Sequence, residues 1–263
     1  PEISYLLKKA TEKVQSLEDE RRYLLEANSN IPSEIARLRT GLATALDRDA
    51  KELPFIGELI QVVPDEVKWT GPIERLLRDF NLTVVVPQKL AEDAEAFLEV
   101  NHLGEKLSFI CPQSDRKNPK LHDDSVVAKL SLRPELEKIR QTWLRSELAE
   151  RFPHICREER DQEFSKNPFA LTVEGLVKSD GVFREKDDSR LLDDATSWVM
   201  GWDVNPKQRT LDDSLIKWRE ELDNSGRAMR EAESERLTLR IKLRSGAQLQ
   251  ACANEFSDID QIG

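Results

Sequence analysis

Two heptad ramps, one at each end, constrain this chain more than any catalytic motif. Counted from Ile3 in alternating steps of four and three, the first ramp meets Ile3, Leu7, Ala10, Val14, Leu17, Arg21, Leu24, Asn28, Ile31, Ile35, Leu38, Leu42 and Ala45. Arg21 and Asn28 break its apolar run. The second meets Leu211, Leu215, Trp218, Leu222, Ser225, Met229, Ala232, Arg236, Leu239 and Leu243. Such stepping averages about 3.5 residues, the coiled-coil period, so each ramp offers one seam to a partner helix. Ramps at opposite ends of one chain can partner each other. The expected architecture is therefore an α/β domain, mixed α+β in its sheet, carried on an antiparallel intramolecular coiled coil. The seam is assigned to Leu7, Val14, Leu17, Leu24, Ile35, Leu38, Leu42, Leu211, Leu215, Trp218, Leu222, Met229, Leu239 and Leu243.

Composition agrees with long solvated helix plus a modest core: 34% of the 263 residues are charged, 38% hydrophobic and 6% aromatic. A middle segment of roughly 150 residues suffices for a hydrophobic core. The net charge of −10 argues against nucleic-acid binding by the whole surface, so any DNA contact must be a local basic patch. Cys111, Cys156 and Cys252 are far apart and form no Cys-x-x-Cys pair; they read as small hydrophobes in a reducing compartment. No apolar run is long enough for a bilayer and no secretory leader is recognisable, so the expected location is cytoplasmic, with no membrane partner. The chain starts and stops inside helical pattern, as a fragment of something longer would.

Along the chain, residues 1–51 read as an outgoing helix, 52–204 as a globular domain and 205–263 as a returning helix. The outgoing helix should kink near 29–32, where Asn28-Ser29-Asn30-Ile31-Pro32-Ser33 interrupts the seam. Proline disfavours helix in the residue before it, and Ser29 or Asn30 could cap the next helix. Leu53 to Pro64 and Leu82 to Val86 read as strands, Ile73 to Phe80 as a helix with one apolar face, and Leu90 to Val100 as an amphipathic helix before a strand at Leu107 to Cys111. This order favours parallel pairing. Val126 to Leu132 reads as a strand, Pro134 to Arg151 as a long helix, and Leu171 to Phe183 as a hairpin turning at Ser179-Asp180-Gly181. Leu59, Val62, Val84, Val86, Leu107, Ile110 and Leu176 are the expected core.

Several strings resemble the hinge region of bacterial SMC-like proteins of the MukB, MksB and JetC kind. The likeness is strongest to the Wadjet-type branch, whose SMC-like subunit is JetC. They are Ser29-Asn30-Ile31-Pro32 with Leu38-Arg39; Leu53-Pro54-Phe55-Ile56-Gly57-Glu58-Leu59-Ile60; Trp69-Thr70-Gly71-Pro72-Ile73-Glu74-Arg75-Leu76-Leu77; Glu174-Gly175-Leu176-Val177-Lys178; Glu185-Lys186-Asp187-Asp188; and Met200-Gly201-Trp202-Asp203. The resemblance implies a chain that runs out along an arm, forms a hinge and returns. It further implies ATPase heads using ATP and Mg elsewhere in the full-length protein, a hinge homodimer, other complex subunits, and action on nucleoid or plasmid DNA, as in plasmid defence. The chain departs from SMC hinges at large in lacking a run of spaced glycines at the dimer contact.

The phosphate-binding pattern Gly-x-x-x-x-Gly-Lys-Ser/Thr is absent, so these residues are not expected to hydrolyse ATP. No catalytic, cofactor-binding or metal residue is assigned. Glu185, Asp187, Asp188, Asp193 and Asp194 form an acid cluster, but it reads as a solvated turn, with Asp187 or Asp188 capping a helix that begins near Arg190. His102, His122 and His154 are isolated, and Trp69, Trp198 and Trp202 sit in apolar surroundings that favour a core or dimer-contact role over base stacking. Arg116, Lys117 and Lys120 form the best local candidate for phosphate contact, against the alternative of an ordinary solvated loop. Two rival functions remain: a metal-dependent DNA-processing enzyme on a coiled-coil spacer, and a passive protein-binding adaptor.

Overall fold

A computed structural model describes the backbone of residues 2–259 and the side chains of 3–249; the side chain of Cys252 lies outside the described residues. In chain order the elements are α1 (Glu2–Ala27), α2 (Ser33–Ala45), β1 (Ile60–Val62), α3 (Thr70–Asn81), β2 (Thr83–Val85), α4 (Ala91–Val100), β3 (Ser108–Ile110), β4 (Leu130–Leu132), α5 (Lys138–Arg151), β5 (Ile155–Arg157), α6 (Gln162–Lys166), β6 (Ala170–Thr172), β7 (Val177–Ser179), β8 (Phe183–Glu185) and α7 (Asn205–Ile259). They form two compact units, Pro1–Asp19 with Asp213–Gly263, and Glu20–Asp212.

The first unit is helical and pairs its α1 and α7 segments antiparallel. Ala10, Val14 and Leu17 of α1 are buried, as are Leu215 and Ser225 of α7. Glu18 Oε1 accepts a hydrogen bond from Arg219 Nη2 at 2.7 Å. Because α1 has 26 residues and α7 has 55, part of α7 necessarily runs on without α1 beside it. Leu237, Leu239, Ile241 and Leu243 are exposed.

The second unit mixes helices with three small sheets: β1–β4, β2–β3 and β5–β6–β7–β8. Its larger core gathers Ile73 and Leu77 of α3, Ile60 and Val62 of β1, and Trp143, Leu144 and Leu148 of α5. A second core gathers Ile31, Ala36 and Leu42 around Phe55, Val84, Val86, Ala94 and Val199. Ile35 and Leu42, assigned to the coiled-coil seam, thus pack into a globular core: heptad stepping detects an apolar face but not which neighbour covers it. Of the expected core residues, Leu59, Val62, Val84 and Val86 are buried, while Leu107, Ile110 and Leu176 are partly exposed.

Parallel pairing holds for β2 with β3 across α4, but β1 does not join them and pairs antiparallel with β4. Leu53 to Pro64 is not one strand either. Phe55 makes an isolated bridge to Val84, a single 3-10 turn covers Ile56–Glu58, and β1 occupies Ile60–Val62. A 3-10 turn likewise takes Val126–Lys129 ahead of β4, and α5 begins at Lys138. Proline spacing and β-branching signalled the segments but not the tight turns inside them. In the four-stranded sheet, Asp180 (φ 51°) and Gly181 (φ 70°) turn β7 into β8. No helix begins near Arg190; Asp187 instead accepts from Ser189 N at 2.9 Å in a local turn, a bond available without any helix.

Candidate functional site: a buried polar neck

Within the second unit, three irregular segments meet at a buried polar network. The first is the break between α1 and α2. Asn28 takes a left-handed conformation (φ 49°) that ends α1, and Pro32 stands at the N-cap of α2 without a side-chain cap. Neither Ser29 nor Asn30 caps α2, because both side chains are engaged elsewhere. Ser29 Oγ donates to Glu58 Oε1 at 2.7 Å. Asn30 Nδ2 lies within 3.1–3.2 Å of the carbonyl oxygens of Met200, Gly201 and Asp203. One amide therefore clasps a whole strap, residues 198–203.

The second segment is the turn Ile56–Glu58. Besides Ser29, Glu58 accepts from Arg39 Nη1 at 2.6 Å and from the Phe55 amide at 2.9 Å. The Arg39 guanidinium also lies over the Phe55 ring at 4.8 Å. Gly57 is required by contact: a β carbon there would stand 2.9 Å from Val199 O, and Gly57 O accepts from Gly201 N at 2.8 Å.

The third segment is the strap itself, held from the core side by Glu74 of α3. Glu74 Oε1 accepts from the Val199 amide at 2.9 Å and the Met200 amide at 2.6 Å, and Oε2 lies 3.3 Å from Asn81 Nδ2. Burial pushes the Glu74 carboxyl up to about 7, opposed by the Met200 and Val199 amides, Asn81 and the Lys207 charge. Lys207, in the first turn of α7, donates to Asn30 O at 2.9 Å and Trp198 O at 3.4 Å and pairs with Glu20 Oε1 at 3.3 Å. Burial pulls its ammonium below the usual lysine range, with Glu20 opposing. Beside the strap, Asn30 and Gln61 line a cavity of about 220 Å³. This arrangement fixes geometry: it ties the end of α1, the start of α7 and the core together through groups that are costly to leave unpaired.

Glu58 and Glu74 fall within the motif strings, whereas no motif marks Asn81 or Lys207. The available signal was Glu74 and Asn81 on the face of α3 that also carries Leu77, polar groups on an apolar stripe.

The six strings quoted for the resemblance touch one another. Four meet at the neck, and Arg75 of α3 joins the other two. A β carbon on Gly175 would stand 3.0 Å from Arg75 Nη1, and Asp188 Oδ1 lies 3.7 Å from the same nitrogen.

Other assigned residues are placed as follows. In the seam, Val14, Leu17, Leu24, Leu42, Leu211 and Leu215 are buried; Leu7, Ile35, Leu38, Trp218, Leu222 and Met229 are half-buried; Leu239 and Leu243 are exposed. Arg116 is taken up by Glu150, Glu147 and Gln113, which leaves Lys117 and Lys120 exposed on that loop. His154 is buried with Nε2 3.2 Å from Ser179 Oγ, and burial lowers its imidazole to about 4. His102 and His122 are exposed. Trp69 is buried, Trp198 Nε1 donates to Leu192 O at 3.2 Å, and Trp202 lies 6.0 Å from the Arg133 guanidinium. Among the described residues no three His, Cys, Asp or Glu side chains are gathered as a metal would require, and no helix is long and apolar enough to cross a membrane.

No protein-family model matches the chain, and no curated protein matches it. Among solved structures it is similar to the Pyrococcus furiosus Smc hinge domain with an extended coiled coil: 21% identity, 92% of this chain and 86% of that one, TM-score 0.46. It is also similar to the Geobacillus stearothermophilus SMC hinge domain, solved as an asymmetric dimer: 17% identity, 89% and 94% covered, TM-score 0.46. A folded elbow of cohesin aligns at 13% identity over 96% of this chain and 39% of that one, with a TM-score of 0.47.

Proposed function

We propose that this chain is the homodimerisation hinge of an SMC-like ATPase that acts on DNA. Its helical ends are the stubs of a long arm, and its branch is the Wadjet-type plasmid-defence one. In that role it consumes no ATP itself. It joins two arms, while heads outside these residues bind ATP and Mg and other subunits complete the complex in the cytoplasm. The motif strings support the branch, and their mutual contact ties that likeness to one three-dimensional feature.

The observation that carries self-association is the edge strand β8. It pairs only with β7 among the described residues, and all three of its residues are exposed. Val182, beside it, is 85% exposed and Phe183 54%. An open edge flanked by exposed apolar side chains is a template for a second chain.

Light scattering over a concentration series tests this. The unaltered chain should dimerise, and Val182→Asp with Phe183→Asp should weaken the dimer at least tenfold, about 1.4 kcal/mol, without unfolding it. A monomer at every concentration would sink the reading and favour the adaptor.

A further inference from the structure

Residues 187–198 fold back over α3 and the β7–β8 hairpin and leave a cavity of about 410 Å³, a size that suits a small organic ligand. Its wall is fixed by contact: a β carbon on Gly71 would collide with Leu192 O, and Trp198 Nε1 donates to that same oxygen at 3.2 Å. Three guanidinium groups, those of Arg75, Arg78 and Arg190, line it. The Arg75 side chain is 15% exposed. Its Nη2 donates to Arg190 O at 2.7 Å, but its buried Nη1 has no hydrogen-bond partner. Asp188 Oδ1 stands 3.7 Å from that nitrogen, beyond hydrogen-bond range, on a side chain that is 67% exposed. Among the described residues no hydrogen bond or ion pair holds the side chain of Arg78 or Arg190.

We propose that this cavity binds a phosphate monoester, with Arg78 and Arg190 gripping the phosphate, Arg75 adding its charge, and the organic part lying on Leu76, Val177 and Trp198. Guanidinium groups match a tetrahedral oxyanion in geometry as well as in charge, because each can offer two parallel N–H donors. An anion held here offsets the mutual repulsion of three like charges. It also offers Arg75 Nη1 the acceptor it lacks once the loosely held Asp188 swings out.

Acids line the cavity as well, and two of them are already engaged. Glu74 accepts from the strap amides, and Asp79 Oδ2 pairs with Lys106 at 2.6 Å. Asp187 accepts from Ser189 N, and its carboxyl is held below the usual range, first by Ser189 and then by the Arg75 and Arg78 charges, so the arginine field reaches it. Glu185 is exposed on β8. These last two set the selectivity. A single phosphate meets the three arginines, whereas a nucleic-acid backbone would carry further phosphates past both carboxylates.

This inference goes beyond the hinge reading and does not rest on it. Calorimetric titration of the full chain with phenyl phosphate tests it, at constant ionic strength and about pH 8, where the ester is a dianion. Binding should saturate. Arg78→Gln and Arg190→Gln alter exposed side chains, so both variants should fold, and each should weaken binding about fivefold. Asp188→Asn removes a competing carboxylate and should tighten it about threefold. Lys117→Gln, the same loss of charge on another loop, should leave the affinity unaltered. Inorganic phosphate lacks the part that Leu76, Val177 and Trp198 cover and should bind less tightly; equal affinities would overturn the ester. The absence of saturable binding would overturn the site, as would a Lys117→Gln chain weakened as much as Arg78→Gln. A duplex oligonucleotide should not compete. Competition that Arg78→Gln abolishes would assign the arginines to a nucleic-acid surface and overturn the proposal equally.

Discussion

The two compact units bury apolar surface in different ways. In residues 20–212, side chains such as Leu77, Ile73 and Leu144 are wholly enclosed by neighbours from several elements. In the helical unit burial is confined to one stripe, with Leu17 at 7% exposure and Val14 at 9%, and half-buried side chains around them. A two-helix seam has no second layer, so its longer side chains, Val14 and Leu17 among them, keep an edge toward solvent while the short Ala10 is covered. Identical chemistry should therefore cost different amounts in the two places.

Truncating the same side chain in each unit gives the largest contrast. Leu77→Ala should leave a closed cavity and lose about 3–5 kcal/mol by urea unfolding. Leu17→Ala opens toward solvent, where neighbouring side chains can relax, and should lose about 2 kcal/mol, the low end for such a truncation. Equal losses would mean that the helical seam is as enclosed as the core.

The contrast also explains what could be read beforehand. Periodicity revealed the ramps and the stripe of α3, and a β-branched run stopped by Pro87 revealed the strand read at Leu82 to Val86, because each signal is local to one segment. The turn at Asp180-Gly181 was legible because only a few residue types tolerate left-handed backbone. The pairing of β1 with β4 was not, since their partnered residues Ile60 and Leu132 lie far apart in sequence and nothing local encodes the match. The neck was half legible. The Asn28–Pro32 break was visible as a helix fault, but caps and buried clasps use the same residue types. Asn30 reads as a cap candidate until Met200, Gly201 and Asp203 are seen around it.

Charge inside the globular unit gives the next effect, and two groups oppose each other. Glu74 is raised from 4.5 to about 7, so its contribution is fully present below pH 4.5 and is lost as pH rises to 7. His154 is lowered from 6.5 to about 4, so its contribution is present above pH 6.5 and is lost as pH falls toward 4. Each slope approaches about 1.4 kcal/mol per pH unit, and between pH 4.5 and 6.5 they cancel. Urea midpoints of the unaltered chain should thus vary little from these two groups across that window. Glu74→Gln should uncover the His154 slope and lose stability as pH drops below 6.5. A Glu74→Gln chain with midpoints as flat as those of the unaltered chain would show that one of the two shifts is absent.

Charge on the helical unit should give the smallest effect. Glu18 and Arg219 make a well-formed 2.7 Å contact, yet their side chains are 36% and 58% exposed. Water already solvates both ions at that exposure, and holding two long side chains in one geometry costs rotamer entropy that offsets much of the attraction. A double-mutant cycle with Glu18→Gln and Arg219→Gln should return a coupling of about 0.2–1 kcal/mol, shrinking as salt is raised. The pair would then select the register of two helices already held by Ala10, Val14 and Leu17, without setting the strength of their association. A salt-insensitive coupling of about 3 kcal/mol or more, typical of buried pairs, would show instead that the arm encloses its charges as the neck encloses Glu74 and Lys207.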